Sequence, residues 1–211
     1  MPPSGLIERL SEAAGRHVSR ETFERIAVYV DLLKAGAERQ NLIAPSTIET
    51  VWERHILDSA QLVRFEPFTG ARWADVGSGA GLPGLVVALL TGGPITLIES
   101  RRLRSEFLRE ASNALGLSDR VRIESARVER IAGSFDVITA RAVAALDRFL
   151  AIASHLSKSE TTWVLPKGKN AQSELAQARR NWQCDALVEQ SRTDPDSQIL
   201  VLTRVGAKKK R

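Results

Sequence analysis

The sequence has little cysteine and little histidine. Cys184 is the one cysteine among 211 residues, which excludes an intramolecular disulfide framework and a Cys-rich metal cluster. The histidines, His17, His55 and His155, lie far apart along the chain, so a zinc site has little support and we expect no metal.

Long apolar runs and an export signal are also missing. No apolar run approaches the length that crosses a bilayer, and the N-terminus lacks the basic and apolar regions of a signal peptide. We therefore expect no membrane partner and a cytoplasmic location. The apolar content of 43% still allows one good core with a small appendage, and the net charge of +5 favours polyanionic partners.

The chain is organised around residues 72–84, which read as a short strand, a glycine turn and the start of a buried helix. Gly77, Gly79 and Gly81 occupy alternate positions, and the first of them comes two residues after Asp75, the acid at the end of the strand. Glycine permits positive φ and lets a ligand come close to the main chain. The stretch therefore predicts a nucleotide-binding strand–helix unit, although a glycine turn without a ligand is the plainer interpretation.

A second acid follows the next predicted strand. Glu99 directly follows the strand predicted over residues 94–98 and comes about twenty residues after the glycines. A carboxylate at this place can accept hydrogen bonds from both hydroxyls of a ribose. In a dinucleotide enzyme the helix start faces a pyrophosphate, whereas S-adenosylmethionine (SAM) brings an ammonium and a sulfonium, which suit Asp75 better. The two acids with the glycines are typical of SAM-dependent methyltransferases.

The order of predicted elements indicates the fold. Strands and helices alternate after the glycine turn, which predicts an α/β fold of the class I SAM-dependent methyltransferase type. Such a fold is Rossmann-like and doubly wound, with a mostly parallel seven-stranded sheet and ligands at the carboxyl ends of the strands. We expect a helical extension over residues 1–70, packed on a catalytic domain over residues 71–205, and a basic disordered tail over residues 206–211.

Two charged clusters have more than one interpretation. Arg54, His55 and Asp58 lie within about one turn of a helix predicted to start near Thr47; they form either a solvated Arg54–Asp58 pair or a group over the SAM site. A second cluster at the start of a later helix opposes the helix dipole, which costs about 0.3 kcal/mol or more per arginine. It is either a phosphate site or a solvated basic face, and it comprises Arg101, Arg102 and Arg104.

The residues after the fourth predicted strand bear on the methyl acceptor. Thr139-Ala140-Arg141-Ala142 lacks the Asn/Asp-Pro-Pro-aromatic box of enzymes that methylate exocyclic amines. Carbon-5 methylation of pyrimidines needs a cysteine nucleophile, and Cys184 lies far from any motif. An acceptor that is already nucleophilic, such as guanine N7, needs only alignment. A small-molecule acceptor and a non-catalytic RNA-binding protein remain as alternatives.

Several motifs together resemble one family, the RsmG family of bacterial small-subunit rRNA guanine-N7 methyltransferases, also called glucose-inhibited division protein B. They occur in the family's order and spacing, and they are Asn41-Leu42, Arg54-His55-Ile56-Leu57-Asp58-Ser59, residues 75–84, Phe135-Asp136, Ala140-Arg141-Ala142 and Lys167-Gly168. The resemblance implies SAM-dependent methylation of a guanine N7 in the 530 loop of 16S rRNA. The implied partner is 16S rRNA or the 30S subunit, and we expect a monomer.

The resemblance also assigns roles to residues. Cofactor contacts are expected from Asp75, Gly77, Gly79, Gly81, Leu82, Glu99, Val128, Glu129 and Arg141. No catalytic residue is certain, but acceptor positioning is expected from Arg54, His55, Asp58 and Arg141, and RNA binding from Arg54, His55, Arg101, Arg102, Arg104 and Lys167. Two departures from the family pattern are Ile43, in place of a threonine, and Leu103, in place of a lysine.

Overall fold

The computed structural model describes residues 5–209 of the chain. Seven strands form one sheet, in the order β3-β2-β1-β4-β5-β7-β6. The strands are β1 (Trp73–Val76), β2 (Ile95–Ile98), β3 (Val121–Glu124), β4 (Val137–Thr139), β5 (Thr162–Lys167), β6 (Trp182–Gln190) and β7 (Gln198–Ala207). All neighbours are parallel except β7, which is antiparallel to β5 and β6. The predicted mostly parallel seven-stranded sheet is therefore confirmed.

Strand β1 lies in the interior of the sheet, and its four residues are all buried. This strand pairs with β2 on one side and β4 on the other, so that Asp75 stands opposite both Leu97 and Thr139. The chain leaves β1 toward one half of the sheet and later returns to build the other half. Ligands of doubly wound sheets bind at such a reversal of strand order.

Helices cover both faces of the sheet. They are α1 (Leu6–Ala14), α2 (Arg20–Arg39), α3 (Asp58–Ala60), α4 (Gly84–Leu90), α5 (Arg102–Ala114), α6 (Leu146–Ala153) and α7 (Ala171–Ala178). Two apolar clusters follow from the alternation of side chains along each strand: Trp73 joins the cluster with α4 and α5, whereas Ala74 joins the cluster with α6 and α7. Within residues 5–209, no helix has both the length and the apolar character of a membrane span.

The N-terminal helices belong to the first of these clusters. Leu10 of α1 and Ile26, Tyr29 and Leu33 of α2 are fully buried there, together with residues of α4. Helices α1 and α2 thus pack on the same face of the sheet as α4. The division of the chain at residue 70 stays a prediction.

The segment between α2 and β1 differs from the expected helix near Thr47. Pro45–Thr47 is a 3-10 turn, Trp52–Leu57 is a π-helix, and Gln61–Phe65 after α3 is another 3-10 segment. The Thr47 hydroxyl donates to the Ala44 carbonyl, a local bond of the kind that competes with a regular helix start. π-helical turns often occur at functional sites, and this one carries Arg54 and His55.

The first turn of α5 and the end of the chain also hold details that the sequence pattern did not predict. Leu103 is 57% exposed, whereas Ser105 is buried and donates to the Glu99 carbonyl oxygen. Gly206, which the sequence placed in the basic tail, lies in β7, and the Lys208 amide donates to the Asn181 carbonyl oxygen. Residues 210–211 of the predicted tail lie outside the described residues.

Candidate active site

The glycine turn lies between β1 and α4 and has the backbone conformation that its glycines allow. Gly77, Gly79 and Gly81 have φ of 72°, 57° and 89°, values that other residues rarely adopt. A Cβ on Gly77 would lie 2.6 Å from Val143 Cγ2, and a Cβ on Gly81 would lie 2.5 Å from Leu85 Cδ1. The first and third glycines therefore also serve close packing.

Asp75 lies in the core rather than on a surface of the site. Its side chain is 1% exposed, and its Oδ2 accepts a hydrogen bond of 3.1 Å from the Gly84 amide at the start of α4. Its Oδ1 has no hydrogen-bond partner in the structure. Burial raises the pKa of Asp75 to about 6, because a low-dielectric environment disfavours the charged form.

A buried tyrosine of the N-terminal region supports the same turn. The Tyr29 hydroxyl donates a hydrogen bond of 2.7 Å to the carbonyl oxygen of Ala80. Burial raises the pKa of Tyr29 well above its usual value, so the phenol stays a donor. The sequence pattern did not single out this tyrosine or its contact with the turn.

Glu99 joins the glycine turn to the start of α5. Its Oε2 accepts from the Gly79 amide at 3.0 Å, and its Oε1 accepts from the Arg101 amide at 2.7 Å. These two bonds fix the orientation of the carboxylate. Each carboxylate oxygen has a second lone pair, so the group can still accept hydrogen bonds from ribose hydroxyls.

One cleft of about 360 Å³, here called the cofactor cleft, opens beside the glycine turn. Four of the predicted cofactor residues line it, namely Gly77, Glu99, Val128 and Glu129. The sequence missed the other lining residues, Val76, Ile98, Ser100, Ala126, Arg127, Val143 and Arg148. The other predicted cofactor residues do not line it; these are Asp75, Gly79, Gly81, Leu82 and Arg141.

The cofactor cleft has the chemistry that SAM requires. Ile98 and Val128 supply apolar walls for an adenine ring, and Glu99 supplies an anchored acceptor for a ribose. Gly77 exposes main chain where a larger residue would intrude. The residues present therefore fit SAM.

His55 belongs to a second group of polar residues, which surrounds Arg141. Its Nδ1 lies 3.2 Å from Arg141 Nη1, and its Nε2 lies 2.8 Å from Thr47 Oγ1. Burial lowers the pKa of His55 to about 4, with further contributions from Arg141 and Arg54. The ring is neutral at pH 7; since Arg141 can only donate, Nδ1 accepts and Nε2 carries the proton.

The acidic partners of the two arginines come from different parts of the chain. Arg54 Nη1 lies 2.9 Å from Oδ2 of Asp194, in the loop between β6 and β7, whereas Asp58 Oδ2 lies 3.7 Å from Arg141 Nη1. Arg54 thus pairs with Asp194 rather than with Asp58, and the Arg54–Asp58 pair considered from the sequence is wrong. Nothing in the sequence pattern marked Asp194.

Two further clefts meet at Asp58 and Arg141. The smaller, of about 200 Å³, is lined by Thr47, Arg54, His55, Asp58, Arg141, Thr193, Asp194 and Ser197. The larger, of about 490 Å³ and here called the acceptor cleft, is lined by Asp58, Arg141, Lys167, Gly168, Glu174, Ser191, Ser197 and residues 142–145, 166 and 198–199. Val143 lines both the acceptor cleft and the cofactor cleft, so the two clefts are neighbours separated by the segment 142–145.

Lys167 holds this separating segment. Its Nζ lies 2.9 Å from Glu174 Oε2 and 3.1 Å from the Ala144 carbonyl oxygen, and the same Glu174 oxygen accepts from the Leu146 amide at 2.9 Å. The Lys167 side chain is only 14% exposed. Its contacts therefore lie within the protein, and its binding to RNA stays a prediction.

The side chains of the arginines at the start of α5 do not line these clefts. Arg101 and Arg102 are exposed, and Arg102 pairs with Glu106 at 2.8 Å. Arg104 Nη2 donates to the Asn41 carbonyl oxygen at 3.2 Å. None of the three lines the cofactor cleft, the acceptor cleft or the smaller cleft, and their contact with phosphate stays a prediction.

The fold and the cofactor cleft together define a class I SAM-dependent methyltransferase. The sheet is doubly wound and seven-stranded, a glycine turn follows β1, an acid stands at the end of β2, and a cleft compatible with SAM lies between them. The family described as "rRNA small subunit methyltransferase G" (GidB) has a model that matches residues 22–198. The chain belongs to this family, as its resemblance to the RsmG motifs implied.

Relatives at the sequence level agree with this membership. The chain is 45% identical over 203 residues to the "Ribosomal RNA small subunit methyltransferase G" of Zymomonas mobilis, covering 92% of this chain and 91% of the relative. It is 48% identical over 189 residues to the protein of the same description from Novosphingobium aromaticivorans, covering 88% and 82% of the two chains.

Solved structures with the same fold are more distant. The ribosomal protein L11 methylase of Lactobacillus delbrueckii superposes with a TM-score of 0.59 at 15% identity, over 74% of this chain and 79% of that chain. A SAM-dependent O-methyltransferase of Thermotoga maritima gives 0.57 at 15% identity, over 86% and 73%. These likenesses confirm the class I methyltransferase fold.

Proposed function

We propose that this protein transfers a methyl group from SAM to the N7 atom of one guanine in the 530 loop of 16S rRNA. The observation that carries the proposal is the contact between two clefts: the cofactor cleft and the acceptor cleft share Val143, and Arg141 and Asp58 line the acceptor side. Family membership supplies the expectation that the acceptor is small-subunit rRNA.

The cofactor side of the proposal rests on six residues. Gly77, Glu99, Val128 and Glu129 line the cofactor cleft and would hold SAM directly. Asp75 and Tyr29 would not contact SAM but support the glycine turn. Asp75 accepts a hydrogen bond from the Gly84 amide at the start of α4, and Tyr29 donates one to the Ala80 carbonyl oxygen. When bound, SAM supplies an electrophilic methyl group.

The acceptor side needs positioning and no general base. Guanine N7 carries an in-plane lone pair and has no proton to lose, so the protein has only to align it. A neutral His55 fits this requirement, since it holds Arg141 instead of removing a proton. Asp58 Oδ2 and the Arg141 guanidinium offer an acceptor beside a donor, which complements the N1–H and O6 edge of guanine.

The charge and environment of the protein agree with an RNA substrate. The chain carries a net charge of +5, which favours a polyanion such as RNA. Arg54, Arg101 and Arg102 have exposed side chains, although Arg54 pairs with Asp194 and Arg102 pairs with Glu106. We infer that the protein acts in the cytoplasm, where ribosomal subunits are made, and that it works as a monomer. Its substrate would be 16S rRNA within the 30S subunit or a precursor of it.

A labelling experiment tests this proposal. The protein is incubated with tritiated SAM and either 30S subunits that lack the modification or a mixture of small metabolites, and the labelled position in the RNA is mapped by cleavage at N7-methylguanine. The control is a subunit reconstituted from 16S RNA transcribed with 7-deazaguanosine, which has a carbon in place of N7. Label in normal subunits but not in the control is expected. Label in small metabolites instead, or none in either, would contradict the proposal.

A further inference from the structure

A buried glutamine lies directly behind the acceptor cleft. Gln61 opens the 3-10 segment that follows α3, three positions after Asp58, and its side chain is 0% exposed. The apolar residues on both sides of it, Ala60 and Leu62, are equally buried. A polar side chain in such a place is retained only when its hydrogen bonds are made.

The hydrogen bonds of Gln61 determine how its amide is turned. Its Oε1 accepts from the Arg192 amide at 2.9 Å, and a backbone N–H can only donate, so the amide nitrogen must point the other way. There Nε2 donates to Asp58 Oδ1 at 3.0 Å and contacts the hydroxyls of Ser191 and Thr193 at 3.1 and 3.3 Å. Gln61 therefore ties the loop between β6 and β7 to the carboxylate of Asp58.

Asp58 is thereby held from one side. Its Oδ1 accepts both the Gln61 amide and the Thr193 hydroxyl, the latter at 3.0 Å. Its Oδ2 points to Arg141, at 3.7 Å from Nη1, and Arg141 in turn contacts His55. A carboxylate with one oxygen fixed by two donors has little freedom to rotate, so the position of Oδ2 follows from Gln61 and Thr193.

We propose that Gln61, together with Thr193, is a positioning residue for methyl transfer, which orients the Asp58 carboxylate so that it holds Arg141 at the acceptor. The proposal rests on the function proposed above, because it concerns the acceptor half of that site. Gln61 lines none of the three clefts itself and acts through Asp58.

The substitution Gln61→Glu tests this role because it keeps the size of the side chain and replaces the donor facing Asp58 with an oxygen. The two carboxyl groups would then share a proton or move apart. We expect kcat for methylation of 30S subunits to fall roughly 10- to 100-fold, as for other misplaced catalytic groups, with the Kd for SAM within about twofold of the wild-type value. Gln172→Glu, at an exposed position of α7, is the charge-matched control.

A second variant covers the case in which Gln61→Glu does not fold. Thr193→Val preserves shape and removes one of the two donors to Asp58 Oδ1. We expect a smaller loss of kcat, about fivefold, again with nearly unchanged SAM binding. Unchanged kcat in folded Thr193→Val and Gln61→Glu proteins would overturn the proposal, as would parallel losses of SAM affinity and kcat, since these indicate general structural damage.

A readout that needs no substrate separates this proposal from the proposed function. His55 Nδ1 lies 3.2 Å from Arg141, and the positive charge of Arg141 helps to lower the pKa of His55. If Gln61 positions Arg141 through Asp58, NMR titration of the imidazole should show a raised His55 pKa in Gln61→Glu and no change in Gln172→Glu. Wild-type titration in Gln61→Glu would refute the positioning role. A wild-type protein that methylates no RNA would refute the proposed function, while the titration still decides the role of Gln61.

Discussion

The carboxyl group of Asp75 lies in a position that should make the stability of this protein depend on pH. In the folded chain burial raises its pKa to about 6, from 3.8 for the free side chain. Between these two values the folded state keeps the proton and the unfolded state releases it. Stability from this group is therefore complete below about pH 4 and is lost as the pH rises through 6.

The substitution Asp75→Asn removes this dependence while keeping the size of the side chain and an acceptor for the Gly84 amide. The difference of about two pH units between the folded and unfolded pKa corresponds to ~3 kcal/mol. We expect the free energy of unfolding of Asp75→Asn, minus that of the wild type, to rise by about 3 kcal/mol between pH 4 and pH 7.5. Other titrating groups cancel in this difference.

The measurement is urea unfolding of both proteins without SAM, followed by fluorescence of the tryptophans at several pH values. Asp136→Asn provides a control of opposite sign, because hydrogen bonding from Arg72 holds the pKa of Asp136 below its usual value. The stability deficit of Asp136→Asn should be complete above the unfolded pKa and should disappear as the pH falls through the lower folded pKa. A difference between Asp75→Asn and wild type that is constant from pH 4 to 7.5 would refute the account of Asp75.

Three further substitutions separate the two halves of the site. Gly77→Val places a side chain against Val143 at a φ of 72°. Calorimetry should therefore detect no SAM binding, and a wild-type affinity would contradict the placement of the cofactor. Arg54→Ala breaks the pair with Asp194, and it should lower RNA methylation roughly tenfold with SAM affinity near normal; equal loss of both would make Arg54 structural. Lys167→Met removes the ammonium that contacts the Ala144 carbonyl and Glu174, and it leaves Glu174 with its bond from the Leu146 amide alone. Thermal unfolding should show a loss of about 1–3 kcal/mol, with Lys167→Arg as the conservative control, and an unchanged midpoint would refute the holding role.

Much of the cofactor half could be predicted from the sequence because it is local. The glycine turn, Asp75 and the strand end at Glu99 are set by short-range patterns and by the period of the strands, and the parallel sheet brings their ends to one edge. The positions of some predicted cofactor residues still differ from the expectation. Asp75 and Gly81 pack into the core instead of lining the cofactor cleft, and Glu99 accepts hydrogen bonds from main-chain amides.

Residues of the acceptor half were predicted from motifs, but their hydrogen-bond and ion-pair partners were not, because those partners come from distant segments. Arg54 pairs with Asp194 across 140 positions, and Gln61 meets Arg192 across 131. Helical periodicity favours a neighbour four residues away, as in the Arg54–Asp58 pair, and carries no information on such partners. The π-helix that carries Arg54 and His55 likewise could not be predicted, because no sequence pattern distinguishes it from an α-helix.

The hairpin of β6 and β7 has a consequence for the order in which activity can arise. Its connecting loop supplies Thr193, Asp194 and Ser197 to the smaller cleft, and Arg192 reaches back to the Glu12 carbonyl at 2.8 Å. Synthesis on the ribosome proceeds from the N-terminus. The residues that line the cofactor cleft, 76–148, are therefore made before this hairpin, and a nascent chain cannot complete its acceptor pocket until the loop between β6 and β7 has been made.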